Sequence, residues 1–352
     1  MSLIKVKSRG TDNVSGRRNL IINGAMQIFQ RATAATQVDN SYNTVDRFRA
    51  YKNGGAYTTE KSTDNPFGTG SSLKAQVTTA DTSMAAGEYA FINHEIEAQD
   101  LQHLLYGTSS AKNVTLSFWV KSNKTGIYTV GVYKHANGAT AYMYRKEYTI
   151  SSANTWEKKE FTISPTAGST TFMTSSGGAI ANNNGNGFGI SFNLALGSNF
   201  HGTNDAWAAD AKYGTSNQVN WMDNTSNNFY ITQIQLEVGD SASDFEHRSF
   251  GEELALCQRY FQVPSLGNRI DCHRESGTSA GHYITYLNEM RATPTLTLTR
   301  NSTVFGNVNT GAGSDGLDAV NTNNRGTLLV IYTNGIPAQV GAEVTMKADA
   351  EI

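Results

Sequence analysis

Charge is scarce in this chain. Asp, Glu, Lys and Arg make up 16% of its 352 residues, against about 25% in ordinary soluble proteins. Thirty acidic side chains meet 28 Lys and Arg, a formal net charge of −2. Disorder driven by self-repulsion is thereby excluded, and so is a broad phosphate-tracking surface, which needs a basic excess. The one basic run, Lys5, Lys7, Arg9, Arg17 and Arg18, reads as a solvated tail. Nucleic acid is not expected as a ligand.

Cysteine is nearly absent. Cys257 and Cys272 make neither a metal-ligand spacing nor a disulfide framework. A reducing cytosol favours two free thiols, although chain length alone would let them pair. Long apolar runs are missing, so no membrane insertion is expected. Residues 1–18 lack the apolar stretch of a secretory signal, and synthesis in a cytosol without export is expected. No Gly-x-Ser-x-Gly elbow, His-Glu-x-x-His helix or phosphate loop occurs, and the seven histidines are scattered. No period of 20–50 residues repeats, which excludes solenoids and propellers.

What is present points to turns and short strands. Glycine occurs 33 times and proline five, with abundant Asn, Ser and Thr. In 114–121, Val114, Leu116, Phe118 and Val120 alternate with Thr115, Ser117, Trp119 and Lys121. A period of two means one buried and one wetter face. Ser122–Gly126 and a strand over Ile127–Lys134 would complete a hairpin. Further strands are expected around 141–150, 156–163, 188–196 and 229–238. Trp156, Phe229 and Tyr230 read as sheet core. Two short helices are expected, over 95–106 with Gly107 as its stop, and over 250–261 with Ser249 and Glu252 as a capping box. Segment 176–187 reads as an exposed loop, and 197–228 as a long ordered one. After about 263, strands near 282–287, 294–300, 327–333 and 342–348 flank a Gly/Asn-rich stretch, 306–326. The predicted fold is an all-β antiparallel sandwich (jelly roll) over 19–262, a smaller β domain over 263–352 and an N-terminal arm over 1–18. In that arm Leu3, Ile4 and Val6 could add an edge strand to a neighbour.

Several stretches carry a resemblance. Asn19–Arg31 (NLIINGAMQIFQR), Asp46-Arg47-Phe48, Leu116–Lys121 (LSFWVK), Trp156–Ile163 (WEKKEFTI), Val219–Asp223 (VNWMD), Ile231–Gly239 (ITQIQLEVG) and Phe245–Phe261 (FEHRSFGEELALCQRYF) follow in this order. Over roughly 19–262 the chain resembles the carbohydrate-binding-like jelly-roll modules of phage and prophage tail-fibre proteins, of the marine and cyanophage type. Glu289–Leu296 (EMRATPTL) looks like the short β domain that often follows. The resemblance implies a virion protein, often a trimer, used in host attachment. It supplies no characterised sugar-binding residue.

Sugar binding has its own physical basis. Aromatic rings offer flat faces to pyranose C–H groups, and neighbouring amides and carboxylates satisfy hydroxyls. Trp119 stands in the polar phase of its strand, and Tyr133 continues an exposed face. Trp207 and Trp221 sit in the long loop beside Asn204, Asp205 and Asn220. These seven are the candidate carbohydrate-binding residues, against packing in a core or subunit interface as the competing explanation. Asp205, Asp210 and Asp223 could pair as glycosidase carboxylates, but loop solubility accounts for them more simply, and no enzyme is expected. The Glu246-His247-Arg248 run is expected to hold the jelly roll against the following helix. No cofactor is expected; a structural Ca²⁺, which such folds can carry, stays open as an alternative with a weak signal, since the chain has no Asp-x-Asp-x-Asp-Gly loop.

The leading expectation is a homotrimeric phage fibre or tail adhesin located on the virion. It would recognise host surface polysaccharide and contact other virion proteins through residues 1–18. The alternatives are a capsid decoration or structural appendage without glycan binding, and an accessory sugar-binding module of a cell surface.

Overall fold

The computed structural model describes residues 18–37, 39–264, 270–274, 279–300, 316–332, 339–342 and 344–351. The basic run as far as Arg17, the arm residues Leu3, Ile4 and Val6, and residues 306–315 lie outside these. So does the Cys272 side chain; Cys257 is buried and free.

Strands β1 Ala34–Thr36, β2 Phe48–Asn53, β3 Ala56–Ser62, β4 Ser72–Thr79, β5 Tyr89–Glu97, β6 Val114–Ser122, β7 Gly126–Lys134, β8 Tyr142–Ile150, β9 Glu157–Ile163, β10 Asn186–Leu196, β11 Ala206–Ala208 and β12 Asn228–Val238 follow in chain order. They pair as two six-stranded sheets, β1-β3-β4-β12-β6-β9 and β11-β8-β7-β10-β5-β2. The protein is an all-β antiparallel sandwich. Alternation dictates its core: Val114, Leu116, Phe118 and Val120 of β6 are fully buried. Phe118 meets Phe192 of β10 edge-on, ring centroids 5.2 Å apart, and so joins the two sheets.

The structure corrects the expected β6–β7 hairpin. β6 pairs with β12 and β9, whereas β7 pairs with β10 and β8. The loop between them crosses from one sheet to the other. Asn123 Nδ2 donates to the Ser226 carbonyl at 2.9 Å and Lys124 pairs with Asp223 at 2.6 Å, tying this crossover to the sandwich end. Alternation shows which face is buried but not which sheet a strand joins. The hairpin is β7–β8 instead, with Gly126 opposite Ile150.

The first expected helix is also displaced. Glu95–Glu97 finish β5, and a 3-10 turn runs from Ala98 to Leu104. Leu105, at φ +55°, is the left-handed cap, not Gly107. The second is α1, Phe250–Gln258, with Ser249 Oγ accepting the Glu252 N–H at 3.2 Å. Segment 176–187 is laced down as well as exposed: Asn183 and Gly185 accept the N–H groups of Gln99 and Ala98 at 2.8 Å.

β12 contains a bulge, with a register shift between Thr232 and Gln235 against β6. Phe229 and Ile231 face the core, and after the extra residue so do Ile234 and Leu236. Gln233 is left at φ +48°, a conformation L-residues rarely adopt. The bulge frees the Ile234 backbone for another partner. Its N–H donates to the Gly24 carbonyl at 2.9 Å, and its carbonyl accepts Asn19 Nδ2 at 3.0 Å. Gly24 lies so close that an added Cβ would sit 2.1 Å from the Ile234 oxygen.

Four of the stretches that carry the resemblance, Asn19–Arg31, Asp46-Arg47-Phe48, Ile231–Gly239 and Phe245–Phe261, converge here. Asn23, at φ +60°, donates through Nδ2 to the carbonyls of Ile28 and Asp46 at 2.9 and 3.0 Å, and its N–H donates to Glu253 of α1. Arg248 reaches the Asn19 and Ile21 carbonyls and pairs with Glu246 and Glu253. Glu246 and Arg248 thus clamp the N-terminal segment and α1 onto the sandwich, and Arg259 pairs with Glu97 of β5 at 2.9 Å.

Beyond α1 come β13 Phe261–Gln262, β14 Ile270–Arg274, β15 Ser279–Thr285, β16 Thr295–Arg300, β17 Gly316–Val320, β18 Gly326–Tyr332, β19 Gln339–Ala342 and β20 Val344–Asp349. They form a three-stranded sheet, β13-β20-β16, and a five-stranded one, β17-β18-β15-β14-β19.

Asp46 is a titratable weakness of the joint. Asp46 is fully buried, and burial pushes its carboxyl up to about 6 although Arg31 and the Gln30 hydrogen bonds oppose the rise. A carboxyl whose folded pKa is raised favours folding while protonated. That contribution is complete below the ordinary value of 3.8 and is lost as pH rises through about 6. Between pH 4.5 and 7.5, urea unfolding should therefore show about 1–3 kcal/mol less stability gain with pH for the wild type than for Asp46→Asn. Equal slopes in the two proteins would refute the assignment.

Candidate functional site

The sequence candidates are dispersed. Trp207 is 2% exposed; β11 pairs with β8, placing it opposite Tyr144, and its indole N–H donates to the Ser164 carbonyl at 2.9 Å. Trp221 is fully buried, edge-on to Tyr57 at 5.8 Å. Both rings belong to the core, which withdraws them as stacking platforms. Asn220 caps the turn holding Trp221, accepting the Met222 N–H at 3.0 Å and donating to the Asp81 carbonyl at 2.8 Å. Asn204 accepts the Glu147 N–H at 2.9 Å. Asp205 accepts the Tyr144 hydroxyl at 2.5 Å and pairs with Lys146 at 2.6 Å. Asp210 pairs with Arg145, and Asp223 with Lys124. These three carboxylates are thus each held by a different cation.

Trp119 and Tyr133 lie on opposite outer faces. Tyr133 is half-buried on β7, its ring 4.6 Å from His135, which pairs with Glu95 at 2.8 Å. The long loop roofs much of this face: Tyr213 stacks on Phe91 at 5.1 Å, and its carbonyl accepts Asn193 Nδ2 at 2.8 Å.

Trp119 stands in a different setting. It is half-buried on the outer face of the first sheet, beside an open groove of about 510 Å³. Phe67, 52% exposed on the β3–β4 loop, meets its ring edge-on at 5.4 Å. Asn65 shapes that loop by accepting the Phe67 N–H at 3.0 Å and donating to the Ser71 carbonyl at 3.2 Å. Phe245 and His247, centroids 5.1 Å apart, supply the facing wall. Between the rings lie polar groups from three strands: Ser117 of β6, Lys158 of β9 and Gln233 of β12. The bulge that puts Gln233 in its strained conformation also turns its side chain to the groove, as bulges do beside functional sites. Farther along the same face, Trp156 and Tyr230 are half-buried on the outer side of the sheet, which corrects their assignment to the core; of the three only Phe229 is buried. The Trp156 indole N–H donates to Asp64 at 2.9 Å, and the Lys121 ammonium lies 4.4 Å above the Tyr230 ring.

No family model matches the chain, and no curated protein matches it. Among solved structures it is similar to the enzymatically active domain of tailspike protein 4 of bacteriophage CBA120, at 12% identity over 63% of this chain and 21% of that one, TM-score 0.32. It is also similar to the tailspike protein gp49 of Pseudomonas phage LKA1, at 17% identity over 26% of this chain and 15% of that one, TM-score 0.21. The chain thus spans about a fifth or less of each tailspike. A family 11 carbohydrate-binding module of a Clostridium thermocellum cellulosomal cellulase is 15% identical over 62% of this chain and all of that one, TM-score 0.31. These likenesses are weak, and the architecture above rests on strand pairing in this chain.

Of the seven sequence candidates, only Trp119 lines the groove. Phe67, Gln233, Phe245 and His247 were not singled out as site residues from sequence, because they come from separate loops and one irregular strand position. The phase slip in β12, from Phe229 and Ile231 to Ile234 and Leu236, was the signal for Gln233. Among the described residues no group of three or more His, Cys, Asp or Glu is arranged to hold a metal ion, and no helix is long and apolar enough to cross a membrane.

Proposed function

We propose that this protein is a non-enzymatic glycan-binding protein that seats a sugar ring in the groove at Trp119, and that it serves as a homotrimeric fibre or tail adhesin of a phage particle. One observation carries the binding reading. A tryptophan held in the solvent-facing phase of a strand shares an open groove with Phe67, Phe245 and His247 and a polar floor. Aromatic faces for C–H groups beside donors and acceptors for hydroxyls are what a pyranose requires. The resemblance of 19–262 to tail-fibre modules supports the attachment role, with 1–18 as the virion-contacting arm and 263–352 as a separate β domain. Three copies would raise a weak contact to useful avidity.

Glycan arrays followed by titration of any ligand found test this. Trp119→Ala should weaken binding at least about tenfold, the scale of a lost contact residue worth 1.4 kcal/mol or more, while leaving thermal unfolding in place. Tyr133→Ala, on the roofed face, should bind like the wild type. An assembled protein that binds no host polysaccharide would instead be a structural appendage.

A further inference from the structure

We infer that the ligand is a linear oligosaccharide longer than one ring, held by an aromatic subsite at Trp119 and a second, polar subsite at Gln27. The inference rests on the glycan reading above. A hollow of about 210 Å³ adjoins the Trp119 groove and shares with it the walls Thr69, Gln233 and His247. From there it passes Asn65 and Ser71 to Ala25 and Gln27 of the turn that follows Asn23. Together the two hollows fall in the range of about 300–1,000 Å³ that holds an extended small ligand.

Their chemistry differs. The first is walled by Phe67, Trp119 and Phe245. The second has His247 as its one ring and is otherwise lined by amides, hydroxyls and small residues. A sugar unit in the first can stack; a unit in the second is recognised through hydroxyls alone. Gln233 stands at the junction, where its amide can reach either unit. The floor is braced by Thr232, whose hydroxyl donates to the Ser71 carbonyl at 2.7 Å. The Gln27 backbone N–H holds its turn through Asn23 Oδ1 at 2.9 Å, so truncating the side chain leaves that bond intact.

The test is a length ladder, from monosaccharide to hexasaccharide, of linear glucan, galactan and mannan oligosaccharides titrated into the full chain. Affinity for the wild type should rise about tenfold or more from one unit to the length that fills both hollows, then level off. Gln27→Ala should flatten that gain and leave monosaccharide affinity unchanged, whereas Trp119→Ala should weaken every length. Length-independent binding that is still lost in Trp119→Ala would overturn the second subsite alone. So would a Gln27→Ala protein with the wild-type length dependence. No binding at any length would overturn the glycan reading together with this one.

Discussion

Glu351→Ala is expected to cost about 3–5 kcal/mol of folding stability, the scale of leaving a buried charge without its partner. Glu351 is held in a buried ion-pair cluster. Its side chain is 4% exposed and pairs with Arg47, which is fully buried, and with Arg31 at 3.3 Å. Arg47 comes from the Asp46-Arg47-Phe48 stretch and holds an uncommon φ of +72°. Its guanidinium donates to the Glu95 carbonyl at 2.6 Å and lies 3.4 Å from the centre of the Tyr260 ring. Without Glu351 this guanidinium keeps one carbonyl and one ring face, too little to offset its lost hydration. Arg31 suffers less, because Asp349 remains at 3.0 Å and Asp46 at 3.7 Å. The double variant Arg47→Met with Glu351→Leu removes both charges and should recover most of the loss, since apolar replacement of a buried pair is often neutral. Urea unfolding of the three proteins decides it. A Glu351→Ala loss under about 1 kcal/mol would show that the pair does not anchor the C-terminal sheets to the sandwich.

The legible parts of the fold were those where one strand carried a long, clean alternation. β6 and β10 announce their buried faces with Val, Leu, Ile and Phe at every second position. The first five strands did not. β4 alternates Leu73, Ala75 and Val77, a short run weakened at its centre by a small residue, and β2 mixes Arg49 and Lys52 into its pattern. In β5 the outward residues Asn93, Glu95 and Glu97 are buried as well, under neighbouring loops and paired side chains. The pattern therefore no longer reads as half-exposed, and the end of that strand was assigned to a helix. The stretches Asn19–Arg31 and Phe245–Phe261 encode a structural joint, the role expected of the Glu246-His247-Arg248 run, although His247 itself lines the groove. The Asn19 side chain spends its hydrogen bonds on the backbone of β12 and that of Asn23 on the Ile28 and Asp46 carbonyls, while Glu246 and Arg248 hold the Asn19 backbone and Arg248 also pairs with Glu253 of α1. A turn of this kind needs particular side chains at particular places, so it leaves a sharper trace in sequence than a binding groove does. The groove needs only rings and amides near one another, and it draws them from 67, 119, 233, 245 and 247.

Trp221→Ala is expected to cost about 3–5 kcal/mol and to act through folding, the range for removing a large buried aromatic. Its place in the long loop beside Asn220 made it look like a ring offered to solvent. Asn220 is instead a fastener of the turn that drives it inward. Asn220 caps the turn, and Asn227 Nδ2 donates to the Trp221 carbonyl at 2.8 Å. The Met222 carbonyl accepts the Asp81 N–H at 2.8 Å. With the backbone held at these points, the site cannot collapse around a missing indole, and the cavity term adds to the lost burial. The indole N–H is buried without a hydrogen-bond partner among the described residues. Trp221→Phe should therefore be much milder than Trp221→Ala, because it removes an unsatisfied donor while keeping most of the ring. Trp119→Ala supplies the opposite behaviour, a change under about 1 kcal/mol in stability, as for a surface position, with the loss falling on ligand affinity. Chemical denaturation and glycan titration of the same three variants separate the two tryptophans. A Trp221→Ala protein as stable as the wild type but weaker toward glycan would place that ring in the binding surface after all.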